Sequence, residues 1–226
     1  MNPRLHCHIL RTWRPLLCAS LAIALFTGCR TGTYMKADST AGALQRAGNE
    51  VRTEIALIDS VTNSLHDLIA NPSGDLRIQV GRFSDAVTQL EKTAHHAADR
   101  GATLRKDGAA YFAAWDKQLQ TVTDEQIHQS SANRKLEVAK QFDSSMQRYD
   151  DAQNAMNPLI SYLRDIRTSL SVDLTTAGVQ SAKAPAATAT QQAFKAREGL
   201  TRSIADLDAL AAKMSFFAPP AQPAVK

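Results

Sequence analysis

Cysteine is scarce in this sequence, and the position of each cysteine is informative. Three cysteines occur in 226 residues, and two of them, Cys7 and Cys18, fall within the first 28 residues. Those 28 residues have the features of a secretory signal, so the exported chain is expected to keep only Cys29. A single cysteine cannot form an internal disulfide, which excludes the class of small exported proteins that depend on disulfide frameworks.

Aromatic residues and glycine are also few, at 6% of the chain and 10 residues respectively. This alanine-rich composition suits helical packing better than a β-sandwich. No charge of one sign predominates either, because removing Arg4, Arg11 and Arg14 with the leader leaves 23 basic residues against 22 acidic ones. A net charge near +1 gives no electrostatic reason to expect a nucleic acid partner.

Motifs that carry catalytic chemistry are missing from the sequence. It contains no phosphate-binding loop, no glycine-rich dinucleotide turn and no Gly-x-Ser-x-Gly elbow. His95 and His96 are adjacent, so on a helix they point about 100° apart and cannot ligate one metal from one face. His66 and His128 stand alone. We therefore predict no enzyme activity, no catalytic residue, no cofactor and no metal site.

The leader itself predicts where the protein resides. Basic residues precede the apolar run from Leu16 to Phe26, which at 11 residues is too short to span a bilayer. The segment Phe26-Thr27-Gly28-Cys29 then resembles the bacterial lipobox, which implies cleavage after residue 28 and acylation of Cys29. Two or three acyl chains make a stable membrane anchor. Because Arg30 follows Cys29 where an aspartate would favour inner-membrane retention, we expect the outer membrane, facing the periplasm.

Apolar periodicity predicts four long helices after a tether at residues 29–38. Helix 1 is expected to begin at an N-cap, Asp38 or Ser39, and to end near Ala70, before the turn residues 71–74. Helix 2 is expected from Asp75 to about residue 119 or 122, helix 3 from about residue 130 to 175 with a kink at Pro158, and helix 4 over 189–214. Residues 176–188 are expected to form a linker, and residues 216–226 a disordered Pro/Ala-rich tail. The stripe of helix 2 alternates steps of four and three and is coiled-coil-like: Leu76, Val80, Phe83, Val87, Leu90, Ala94, Ala97, Gly101, Leu104, Gly108, Tyr111 and Trp115.

Three positions in these stripes are ambiguous or unusual. Glu54 interrupts an apolar series in helix 1 and is expected at the edge of a groove. Gly101 and Gly108 interrupt the seam of helix 2, where they either bend the helix or admit a neighbouring helix closely. Phe194 is expected on the buried face of helix 4.

Together these elements predict an all-α fold, residues 39–215 forming an elongated antiparallel bundle or coiled coil of four helices. Helices 2 and 3 are expected to extend beyond the others as a two-helix hairpin over residues 107–136. Its tip carries Tyr111, Phe112, Trp115 and Ile127. These side chains either fill the core of the hairpin or form an interaction tip for a partner or a membrane.

Three segments of the chain resemble the DUF2959 family of bacterial helical lipoproteins, whose function is unknown. The segments are YFAAWDKQL at Tyr111–Leu119, RKLEVAKQFDSSMQRY at Arg134–Tyr149, and MNPLISYLRDIRTSL beginning at Met156. The resemblance extends from about Tyr34 to Lys183. It implies the helical architecture and an anchored protein, and it assigns no catalytic or binding residue.

The sequence thus favours a lipid-anchored periplasmic coiled-coil protein that acts as a scaffold or adaptor for an envelope protein not identified by the sequence. The alternative is an envelope binding module for peptidoglycan, a lipid or a hydrophobic ligand. The wide apolar stripes can be covered within one chain or by a second copy, so a homo-oligomer is one of two arrangements.

Overall fold

The computed structural model describes residues 32–72 and 74–215. The predicted signal peptide, Cys29 and the tail 216–226 lie outside these residues. Every regular element in the described ranges is a helix, which confirms the all-α prediction. The helices are α1 (Gly32–Ala70), α2 (Leu76–Leu119), α3 (Glu125–Asn154), α4 (Met156–Val172), α5 (Thr176–Ser181) and α6 (Lys183–Met214).

The turn between α1 and α2 forms where the sequence predicts it. Gly74 adopts a positive φ of 62°, a conformation that glycine reaches without a steric penalty. Asp75 then caps α2 by accepting a hydrogen bond from the backbone N–H of Arg77 at 3.0 Å. The short turn makes α1 and α2 antiparallel, and Glu50 of α1 binds Arg100 of α2 at 2.7 Å.

The predicted long third helix is interrupted at Ala155, so the expectation of a continuous helix is wrong. Pro158 has no amide hydrogen, and the carbonyl that it would have bonded belongs to Asn154, the last residue of α3. Ala155 keeps right-handed helical angles of −66° and −15°. The buried stripe therefore continues in register from Tyr149 through Met156 into α4, as predicted.

The start of α3 also differs from the prediction. Asp124 caps the helix by accepting a hydrogen bond from the backbone N–H of Ile127 at 2.9 Å. α3 therefore begins at Glu125, about five residues earlier than predicted.

The predicted linker 176–188 is helical, which is a further correction. The Thr175 hydroxyl accepts a hydrogen bond from the Gly178 N–H at 3.1 Å and starts α5. Pro185 lies in the first turn of α6, where a missing N–H costs no helical hydrogen bond. Small alanines form the buried face of this part of α6, and a face made of alanine gives a weak apolar signal in sequence: Ala186, Ala189, Ala193 and Ala196.

Phe194 lies beside that alanine face and not on it. Its side chain is 69% exposed, so its predicted burial is wrong. In this part of α6 the inward-facing residues are Ala193 and Ala196 and not Phe194. Leu200 and Leu207 continue the buried stripe as predicted.

α1 is longer than the sequence predicted. It begins at Gly32, so Asp38 and Ser39 lie within the helix, and the described part of the predicted tether, residues 32–38, is helical. Ala37 and Ala41 are buried, which extends the apolar stripe by two turns. Thr33 lies seventeen residues before Glu50, about 26 Å along the axis, which corresponds to the level of Lys117 on α2. α2 and α3 form the predicted hairpin. By this register, however, α1 lies beside α2 along the hairpin, so α2 and α3 do not extend beyond the other helices alone.

The bundle is therefore built from α1, α2, the α3–α4 pair and α6, each antiparallel to the helix that precedes it. Ion pairs between neighbouring helices mark their register, with Arg164 binding Glu91 and Arg197 binding Asp59, both at 3.0 Å. Each such exposed pair contributes at most about 1 kcal/mol, so burial of the apolar stripes supplies most of the stability.

Candidate functional site

The rings predicted at the hairpin tip lie mainly inside the hairpin. Tyr111 is buried, with its ring centroid 5.1 Å from that of Phe112 and 5.6 Å from that of Trp115. Phe112 contacts Phe142 of α3 edge to face, with the ring centroids 5.7 Å apart. These distances and tilts are those of favourable aromatic pairs. The rings therefore join α2 to α3.

Polar contacts at this end reinforce the same pair of helices. The Trp115 indole Nε1–H donates to the hydroxyl of Ser131 at 3.0 Å, and the Lys135 ammonium binds Asp116. Burial raises the pKa of the Tyr111 phenol, which keeps it neutral. Tyr111 is not available as a surface residue, and Phe112 and Trp115 are only partly accessible.

Ile127 is the residue of the predicted tip that faces solvent, with 61% of its surface exposed. Leu136 is similarly exposed, at 63%. The two residues are nine positions apart, so they lie on opposite sides of α3 and do not form one apolar patch. Of the α3 residues that the structure describes, none before Val138 is buried. The first three turns of α3 therefore consist of exposed and half-buried residues only.

A groove lies between α2 and α3 next to the aromatic cluster. Its volume is about 390 Å³, and Ala109, Phe112, Phe142 and Met146 provide its apolar lining. Arg105 and Asp150, which form an ion pair with each other, stand at its rim. The groove is within the size range of small-molecule sites.

Glu54 is buried in the middle of the bundle, which corrects its prediction as a residue at a groove edge. Its relative exposure is 0%, and its Oε2 accepts a hydrogen bond from Nε2 of Gln153 at 2.8 Å. Burial raises its pKa to about 7; the hydrogen bond from Gln153 opposes this shift, and the negative charge of Glu50 adds to it.

Two polar contacts flank this buried pair. The Glu50 carboxylate binds the Arg100 guanidinium through both of its oxygens, at 2.7 to 3.2 Å. The Tyr149 hydroxyl donates to the backbone carbonyl of Ala97 at 2.7 Å, and burial raises the pKa of this phenol strongly. α1, α2 and α3 are thus joined by polar groups over about one helical turn.

The glycines of α2 admit α3 closely. A Cβ on Gly101 would lie 3.0 Å from the Tyr149 ring, and a Cβ on Gly108 would lie 2.2 Å from Cζ of Phe142. α2 runs without interruption from Leu76 to Leu119. Of the two alternatives left open by the sequence, close approach is therefore the one observed.

Sequence reasoning did not identify Glu54 as a buried group, although the pattern contained a signal. Ala47, Glu54, Val61 and Leu68 follow one another at intervals of seven, so Glu54 occupies a position at which its three counterparts are buried. Gln153, its partner, follows Ala152 of the α3 stripe and gives no comparable signal. Only the packing of α1 against α3 brings the two together.

Within the described ranges, no group of three or more histidine, cysteine, aspartate or glutamate side chains is placed to hold a metal ion. His95 is largely exposed, with Nδ1 3.6 Å from Asp99 one turn along the same helix. No helix in that part of the chain has both the length and the apolar character needed to cross a membrane.

Comparison with protein families gives a match over most of the described chain. The model of a family described as a protein of unknown function, DUF2959, matches residues 59–214, more than half of the chain. No curated protein and no solved structure matches this chain. The match covers α2 to α6 completely, together with the last turns of α1.

Proposed function

This chain belongs to the DUF2959 family, and we propose that it is a lipid-anchored scaffold or adaptor in the periplasm, held at the bacterial outer membrane through Cys29. The observation that carries the proposal is the order of two features along the chain. A lipobox-like segment ends at Cys29, and a long self-packed bundle begins only three residues later, at Gly32.

The register of α1 gives the level at which its first described residues lie in the bundle. Thr33 lies at the level of the α2–α3 turn, so the part of α1 that is nearest in sequence to the proposed anchor accompanies the hairpin end. α2 has 44 residues and is about 66 Å long. The α1–α2 turn therefore lies at the far end of this length from the hairpin tip.

Acylation is tested by changing the attachment residue in cells that process lipoproteins. We expect Cys29→Ser to abolish incorporation of a labelled fatty acid and to move the protein from the membrane fraction to the soluble fraction. Cys7→Ser is the matched control, because it removes a leader cysteine and leaves the lipobox-like segment intact. A Cys29→Ser protein that remains acylated and membrane-bound would refute the anchor.

The groove between α2 and α3 supports a second candidate, the envelope binding module. Its apolar lining suits a lipid tail or another hydrophobic ligand better than peptidoglycan, which is polar. Ala109 lies on the groove wall and is exposed, so Ala109→Trp would fill the groove without entering the core.

Native mass spectrometry of the purified protein tests this candidate. If the protein is a binding module, a ligand should accompany the wild type and be lost from Ala109→Trp. Ala102→Trp, at an exposed position of the same helix outside the groove, is the control and should retain the ligand. Ligand-free wild-type protein that still associates with an envelope protein would favour the scaffold.

A further inference from the structure

Glu54 and Gln153 occupy an apolar part of the bundle. Val51 and Ile58, the α1 neighbours of Glu54 one turn away on either side, are completely buried. Tyr149 on α3 and Met156 at the start of α4 are also buried, at no more than 1% exposed. A carboxyl group in such surroundings loses its hydration, and the loss is much more costly for the charged form than for the neutral form.

The hydrogen-bond pattern of the pair is incomplete if Glu54 is ionised. Gln153 donates one N–H to Oε2 of Glu54. In the part of the chain that the structure describes, Oε1 of Glu54 and Oε1 of Gln153 are both buried without a partner. Both atoms are acceptors when the carboxyl is ionised, so neither can satisfy the other.

One proton on Glu54 supplies the missing donor. A neutral carboxylic acid has one O–H donor and one acceptor oxygen, and an amide likewise offers an N–H donor and a carbonyl acceptor. The acid can then donate to the Gln153 carbonyl while it accepts from the Gln153 N–H. Such a two-bond pair uses both orphaned oxygens at once, and an ionised carboxylate cannot form it.

The charged groups around the pair do not compensate a negative charge on Glu54. On α1, Glu50 repels it. From α2, Arg100 is already bound to Glu50, while Asp99 and His96 line the outer groove beside that ion pair. On α3, Tyr149 is neutral, because its raised pKa keeps the phenol protonated.

In the ion pairs between α1 and α6, two helices whose side chains meet in this region, each cation is already bound to its own carboxylate. Arg197 binds Asp59 at 3.0 Å, and Arg52 binds Asp208 at 2.6 Å. Among the described residues no cation contacts Glu54.

We propose that Glu54 and Gln153 form a proton-operated latch between α1 and α3, closed when Glu54 carries a proton and weakened when it does not. The opened state loosens the packing of α1, the helix that follows the proposed anchor. The latch depends only on contacts within the bundle, so it stands or falls independently of the lipid-anchored function.

The direction of the pH effect follows from where the proton binds more tightly. The pKa of Glu54 is about 7 in the folded protein against 4.5 for an ordinary glutamate. Its stabilising contribution is therefore complete below pH 4.5 and is lost as the pH rises through 7. Between pH 5 and pH 8 the unfolding equilibrium constant should rise on the order of 70-fold from this group alone.

Chemical denaturation of the purified protein at pH 5 and pH 8 tests the latch. Glu54→Gln keeps the shape and replaces the acid with a permanently neutral group, so its stability should change far less than that of the wild type over this range. Glu137→Gln makes the same chemical change at an exposed position of α3, and it should keep the wild-type pH dependence. Wild type and Glu54→Gln with equal pH dependence would overturn the proposal.

A second measurement does not depend on how well the variant folds. Carbon-13 NMR of wild-type glutamate carboxyl groups should show one signal that titrates near pH 7 and that disappears in Glu54→Gln. Amide hydrogen exchange in α1 should accelerate above that midpoint more than exchange in α4. A Glu54 carboxyl that titrates near pH 4.5, or protection of the α1 amides that keeps the same ratio to that of the α4 amides at pH 5 and pH 8, would exclude the latch.

Discussion

At the end of the bundle where α1 turns into α2, large apolar side chains from three helices fill the core. Leu65 and Leu68 of α1, Phe83 of α2, and Leu163 and Leu170 of α4 are each no more than 2% exposed. At the opposite end, the first three turns of α3 bury no residue and expose Ile127 and Leu136. The two ends therefore contribute very differently to stability.

The difference separates the part of the molecule that holds the fold from the part that is free to change. Burying one leucine or phenylalanine contributes about 1.5–3 kcal/mol, so the closed end supplies a large share of the folding energy. Exposed side chains on these turns, such as Ile127 and Leu136, can be replaced without loss of burial, which makes this segment suitable for contact with another molecule. Between the two ends lies a third region, where small and polar residues hold α1, α2 and α3 together.

The largest expected effect comes from opening a cavity at the closed end. Leu163→Ala removes a completely buried side chain and should reduce the free energy of unfolding by about 3 kcal/mol. Leu136→Ala makes the same change in the exposed part of α3 and should stay within about 0.5 kcal/mol of the wild type. Urea denaturation measures both. Equal losses would show that the two ends share one core.

A smaller effect is expected in the middle region, where α2 and α3 approach closely. Gly108→Ala places a methyl group against the Phe142 ring, which is itself packed on Phe112, and should destabilise the protein by about 1–3 kcal/mol. Thermal unfolding measures the change.

Gly81→Ala is the matched control on the same helix, because a Cβ at this position meets no atom within 4 Å. The higher helix propensity of alanine should raise stability by up to about 1 kcal/mol. If both variants are stabilised, the small residues of α2 do not serve the contact with α3.

The extent to which the sequence predicted this fold differs from segment to segment. Large apolar residues at regular spacing predicted α2 almost to the residue. The proline and glycine within residues 71–74 predicted the preceding turn. The first six residues of α6, 183–188, are predicted from sequence as part of a linker, because alanine gives little contrast between buried and exposed positions. The spacing of apolar residues places Phe194 on the buried face, although its neighbours Ala193 and Ala196 are the residues that fit against the other helices.

The candidate sites follow the same division. The four tip residues were recognised from their aromatic and apolar character, but only the packing shows that Tyr111 is buried while Ile127 is exposed. Pro158 was expected to kink a helix, and its missing N–H instead ends α3 one turn earlier, at Asn154. In each case the residue type was informative and its environment was not readable from local spacing.

By itself the sequence determined that this protein is built of long amphipathic helices, because period and composition are local properties of the chain. The tertiary structure alone decided which helix faces which. That arrangement lets two glycines of α2 receive the rings of α3, and it encloses Glu54 with Gln153 across 99 positions of sequence. Burial and hydrogen-bond partnership depend on all the helices that pack around a residue. A local stretch of sequence describes only one of those helices.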